Sequence, residues 1–374
     1  MENIIIPESL QITMDDVGWF NGPDDRPNGG SARTAMPRRH CAEDYAAINA
    51  LGERLDMRIN CAFVVGDWDP DNRLKHIKYL SKFGDDWNNA AYLGKEEMQA
   101  VADTVRNSPY IDIAVHGLQH NYFHPDHGYT NTDYYYHIGE THVLIPEEEI
   151  RARLDAYFDI LDHYRIGKKV NSFIPPNFDY IWGSMAHILA DYGIRYVSTV
   201  FTYPDLQTPE GFVKPALVGV DNCGVITLNR NVNRISWREV GSDLDEFPTL
   251  AGIFGCHWPN VLHLDQTRNM ETVENWARYF LRCADTFGII LSKDIGFAAT
   301  QTLYREYASV TYSGGTMTVD VSGVPTAPGR RDRFYISARQ EITAFTGCQI
   351  EVHERRDGFL NYAVTPTSTV MTFA

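Results

Sequence analysis

Five apolar, strand-like runs in this chain each end in a polar group suited to ligand binding or proton transfer. Residues 9–14 run into Asp15 and Asp16, and residues 58–66 run into Asp67. Residues 111–115 lead to His116 and His120, residues 170–174 to Asn177, and residues 250–256 to His257. Between the runs lie segments of helical periodicity. One at 42–57 carries Tyr45, Ile48 and Leu55, and one at 147–166 carries Ile150, Leu154, Tyr157, Leu161 and Tyr164. Others fall at 95–106, at 181–192 and at 271–287, the last with Val273, Trp276 and Phe280. Such alternation predicts an α/β fold with a parallel sheet covered by helices. In a β/α barrel the carboxyl ends of the strands share one face, and the active site forms there.

Asp15 and Asp16 would diverge on a regular strand, because successive side chains point to opposite faces. At a strand end that turns into a loop they can converge instead. His116 and His120, four apart after a strand, together with a carboxylate from elsewhere, make a common facial set for a divalent metal. Hydrolysis around a metal is the expected chemistry. Taken alone, an Asp-Asp pair is more often a solvated turn or a helix cap.

The chain has 374 residues, long for one ordinary domain. Beyond about residue 300 short alternating segments are separated by Gly, Pro and Asp, which predicts a small antiparallel β-domain over 301–374 after a barrel over 1–300. Hydrophobic residues at 44% and charged residues at 22% support a sizeable core. The formal charge of −16 argues against nucleic acid or an anionic membrane as partner, and homo-oligomerisation stays open. The six cysteines form no Cys-x-x-Cys pair, so neither a zinc ribbon nor a disulfide framework is expected. No basic, apolar leader opens the sequence and no apolar run reaches the roughly 20 residues of a membrane span, so a cytoplasmic protein is expected, with a secreted form whose leader has been removed as the alternative. Two long polar stretches, 20–40 and 121–145, read as loops or lids, with His124, His127, His137 and His142 as polar loop residues.

Four of these stretches, in order, resemble the motifs of the polysaccharide deacetylases (carbohydrate esterase family 4). T-M-D-D-V-G-W at 13–19 resembles T-F-D-D-G, and H-G-L-Q-H at 116–120 resembles H-S/T-x-x-H. Pro175-Pro176 is similar to a remnant of R-x-P-Y/F, and Gly255-Cys256-His257 to the motif that supplies a histidine. The resemblance implies a distorted (β/α)7-type barrel and one divalent metal, usually zinc, with cobalt, manganese or nickel as alternatives. It implies Asp16, His116 and His120 as ligands, Asp15 as general base and His257 as general acid. The implied reaction is removal of an acyl group, N- or O-acetyl, from a carbohydrate. C–N hydrolysis of a small cyclic amide and non-catalytic carbohydrate binding are the competing readings. Trp19 and Trp258 would stack on a sugar or simply pack. Asp67 and Asn177 would face substrate, or Asp67 would serve as a cap. The sequence departs from the family at three places. Ile174 stands where the base-orienting arginine is expected, leaving Arg26, Arg38 and Arg39 as candidates for its role. Val17 displaces the glycine after the aspartates, and Gly117 replaces a hydroxyl residue.

Overall fold

Ser9–Val17 (β1) is buried along its whole length, as a strand must be when helices cover one face and other strands' side chains the other. It belongs to a ring with Ile59–Val64 (β2), Ile111–Gly117 (β3), Ser172–Phe173 (β4), Tyr196–Thr199 (β5), Ile226–Asn231 (β6) and Gly252–His257 (β7). Each strand pairs in parallel with the next, and β7 pairs back onto β1, closing a seven-stranded barrel. The structure, a computed structural model, describes residues 3–23, 33–201, 216–231, 235–244, 252–356 and 358–374.

The barrel is surrounded by Ala42–Leu55 (α1), Lys95–Asn107 (α2), Glu147–His163 (α3), Ala186–Asp191 (α4), Asn269–Phe287 (α5) and Ile295–Tyr307 (α6). Helix α3 shows how sequence sets these elements. Pro146 caps it, three glutamates occupy the positive first turn, and Ile150, Leu154, Tyr157 and Leu161 form the buried stripe. The helix ends at His163, and Arg165, in the left-handed region at φ 52°, turns the chain ahead of the expected stop at Gly167. Helix α4 is shorter than its apolar pattern predicts, because Gly183 at φ 77° turns the chain before it. The 121–145 stretch is not a plain loop. It holds two hairpins, Tyr122–His124 with Gly128–Thr130 and Tyr135–Ile138 with Thr141–Leu144.

The C-terminal region opens with a hairpin of Ser309–Ser313 and Thr316–Asp320, which joins Val370–Phe373 and Phe345–Thr346 in one antiparallel sheet. A second antiparallel sheet contains Phe334–Ala338, Phe359–Pro366 and Cys348–Arg356, and Ile4–Ile5 at the other end of the chain joins its edge. Met317, Val319, Phe334, Ile336, Val364 and Phe373 share one core with Ala298, Leu303 and Tyr304 of α6. The expected limit between the two regions falls at residue 300. That position lies inside α6, whose apolar face bridges barrel and sheets, and the β-rich region begins at Ser309. All six cysteines are free. Among the described residues, no helix is long and apolar enough to cross a membrane.

Candidate active site and metal centre

Two β-bulges aim the central residues. In the β1–β2 ladder Met14 pairs with Cys61 and Val17 with Phe63, so Asp15 and Asp16 together oppose one residue. Asp16 takes φ 63°, and the bulge turns both carboxylates toward the rim. In the β2–β3 ladder Phe63 pairs with Val115 and Val64 with Gly117, which places the extra residue, His116, at the same level.

Asp16, His116 and His120 converge as a buried group with one ligand atom each. Asp16 Oδ1 lies 3.6 Å from His116 Nε2 and 3.9 Å from His120 Nε2. Both rings are fixed through their other nitrogen. His116 Nδ1 donates to the Ile174 carbonyl at 2.6 Å, and His120 Nδ1 donates to Asn131 Oδ1 at 3.0 Å. The Nε2 lone pairs are thereby left facing Asp16. Asp16 Oδ1 is buried and has no hydrogen-bond partner among the described residues. An orphaned carboxylate oxygen beside two bare imidazole nitrogens is a donor set that fits a divalent cation of the zinc class.

Asp15 sits beside this group. Its Oδ2 accepts a bond from Arg230 Nη1 at 2.8 Å, and Arg230 Nε donates to Thr13 Oγ1 at 2.8 Å. The Thr13 hydroxyl in turn donates to the Phe254 carbonyl. Arg230 is buried on β6, with its guanidinium 5.3 Å from the Phe178 ring centroid. Gly255 on β7 makes room for it, since a Cβ there would lie 2.6 Å from the guanidinium. His257 is in register with Asp15 on the neighbouring strand, its Nε2 4.0 Å from Asp15 Oδ2.

Electrostatics divide these groups. Burial pushes the Asp16 carboxyl up, but His116, His120 and His257 outweigh it and hold the group at about 2. Burial opposes the charged form of His116, yet Asp16 and Asp15 raise it. For His120 and His257 burial prevails over the nearby carboxylates, and both are lowered. Asp15, Asp16, His116, His120 and His257 all line one cleft of about 190 Å³, walled by Arg33, Pro175, Phe178 and Trp237.

Several expected residues are placed elsewhere. Trp19 and Trp258 are both 0% exposed and have no face open to a sugar. Trp258 stacks on His40 at 3.8 Å, and Trp19 lies under the Arg33 guanidinium. Asp67 is a loop anchor, not a cleft residue. Its Oδ2 accepts from Phe20 N, Asn21 N and Arg33 Nη1. Asn177 does line the cleft. Of the arginines offered for the missing role, Arg38 is bound to both oxygens of Asp44, and Arg39 pairs with Glu97. Arg26 lies outside the described residues. The arginine that bonds Asp15 is Arg230, and Ile174 supplies a carbonyl to His116.

The 121–145 insert builds part of the site, which the sequence did not reveal. Besides Asn131, it provides Asp133, whose Oδ1 accepts from Leu118 N and Gln119 N. A Cβ at residue 117 would lie 2.4 Å from Asp133 Oδ2, so the glycine of the second motif follows from this carboxylate.

No protein-family model matches the chain, and no curated protein matches it. Among solved structures it is similar to 4-alpha-glucanotransferase from Thermococcus litoralis, with a TM-score of 0.39 and 14% identity over 78% of this chain. The chain spans 39% of the length of that enzyme. It is also similar to a "putative polysaccharide deacetylase" from Mycobacterium smegmatis, with a TM-score of 0.34 and 13% identity over 76% of each chain.

Proposed function

We propose that this protein is a metal-dependent hydrolase that removes an acetyl group from a carbohydrate amide or ester. One observation carries the reading. A carboxylate held by a buried arginine and a histidine in register with it face the same cleft as the Asp16–His116–His120 group. A divalent cation held by those three residues would supply Lewis acidity for polarising an acyl oxygen.

The remaining work falls to the chain itself. Asp15, deprived of freedom by Arg230, is positioned to take a proton from an attacking water. His257, across the cleft edge, is positioned to give a proton to the departing amine or alcohol. His116 and His120 are held by Ile174 and Asn131 so that their donor atoms need no reorganisation. Pro175, Phe178 and Trp237 give the cleft an apolar wall suited to a sugar face or an acetyl methyl. Ile174 at the third motif favours a non-catalytic scaffold when the sequence is read alone. Arg230, bonded to Asp15 at 2.8 Å, supports the catalytic reading over that one.

The test is turnover on a panel of N- and O-acetylated sugars, with wild type beside Asp15→Asn. Asp15→Asn is expected to lose turnover while keeping its bound metal. Full activity in that variant would remove Asp15 from the base role.

A further inference from the structure

The insert carries a second grouping with the same chemistry as the first. His137 and His142 are directly paired across the Tyr135–Ile138/Thr141–Leu144 hairpin, so their side chains project from one face. Their rings stack with centroids 4.1 Å apart. Both meet Asp179, which arrives from the loop after β4. His137 Nε2 lies 3.0 Å from Asp179 Oδ2, and His142 Nδ1 lies 2.8 Å from Asp179 Oδ1. Asp179 is buried, whereas the two imidazoles keep 29% and 13% of their side-chain surface exposed. A small cation and a completing water therefore have access. The carboxylate is aimed by two consecutive non-glycine residues in the left-handed region, Asn177 at φ 55° and Phe178 at φ 58°.

We propose that His137, His142 and Asp179 form a second, structural site for a borderline divalent cation of the zinc class. Two imidazoles and one carboxylate, with one ligand atom each within 4.8 Å of the others, match the nitrogen and oxygen donors that zinc takes in four-coordinate sites. Ligation moves the N–H of each neutral ring to its other nitrogen and leaves the cation between the imidazoles and the carboxylate. His137 and His142 lie on paired hairpin strands, not in a plain loop as expected. The location of the site gives it a role. Asn177 and Phe178, immediately before Asp179, line the candidate active site, and the insert also carries Asn131, which orients His120. A cation there fastens the insert to the cleft wall. The proposal does not depend on the hydrolase reading.

The experiment is a titration of full-length His120→Ala, in which the first site is disabled, with Co²⁺. Binding is followed by visible d–d absorption, and Zn²⁺ is then added as competitor. The expected result is about one Co²⁺ per chain with the intense absorption of a four-coordinate site, displaced by zinc. It should be lost in His120→Ala/His142→Ala and in His120→Ala/Asp179→Asn. Zinc should also raise the Tm of His120→Ala and leave the Tm of the double variants unchanged. Should either double variant fail to fold, His120→Ala/His137→Gln, altered at the most exposed of the three residues, replaces it. No Co²⁺ uptake by His120→Ala, or uptake unchanged by the second substitution, overturns the site and leaves a hydrogen-bonded histidine–aspartate clasp only.

Discussion

Replacing Arg230 by Met removes the sole cation bonded to Asp15 among the described residues while keeping most of the side-chain volume. The side chains of Arg230 and Asp15 are 2% and 6% exposed, and they meet at 2.8 Å. Breaking a buried pair on one side leaves the other charge uncompensated, which costs about 3–5 kcal/mol, against at most about 1 kcal/mol for an exposed pair. Loss of the Thr13 contact adds a share within that range. Urea unfolding followed by tryptophan fluorescence gives the stability change. A double-mutant cycle with Asp15→Asn then separates the pair from the rest, with an expected coupling of about 0.5–3 kcal/mol. Turnover should fall by about 100-fold or more, because a base released from its position loses the geometry of attack. A stability loss below about 1 kcal/mol together with near-normal turnover would refute the reasoning, since the pair would then be behaving as a surface contact.

Two further outcomes follow from neighbouring geometry. Gly255→Ala places a methyl group where the Arg230 guanidinium lies, so it should cost about 1–3 kcal/mol. Turnover should drop without loss of bound metal, and unchanged turnover would mean that Arg230 can move without consequence. Asp44 is buried between Arg38, His40 and Asn269. Burial pushes its carboxyl up, but the bonds from these three residues outweigh it and hold the group far below the usual carboxylate range. A depressed folded-state pKa stabilises the fold above the unfolded value of about 4, and that contribution fades as pH falls below it. Asp44→Asn should therefore cost about 3–5 kcal/mol at pH 7 and progressively less in acid. Unfolding curves for the two proteins that stay parallel from neutral to strongly acidic pH would contradict this.

The barrel was legible because its strands and helices differ in hydrophobic period, most clearly at residues 58–66 and 147–166. The candidate site was legible for a related reason. A parallel barrel gathers its strand ends on one face, so Asp15, Asp16, His116, His120 and His257 could be grouped before any geometry was known. What could not be read is what depends on the third dimension. The bulge that makes Asp15 and Asp16 converge leaves no mark in the local pattern. Arg230 comes from a strand not suspected of contributing, and its only sequence signal was an arginine in a barrel strand, tolerable there when paired. Trp19 and Trp258 look like a sugar platform by proximity in sequence, yet both are swallowed by the core. His137 and His142 are five apart, and only the hairpin register brings them onto one face.

The proposed hydrolysis requires a cation held by Asp16, His116 and His120. Its most direct test is elemental mass spectrometry on His142→Ala, in which the second site is disabled, compared with His142→Ala/His120→Ala after zinc reconstitution. About one zinc per chain is expected in the first protein and none in the second. Equal zinc in both, or none in either, would contradict it.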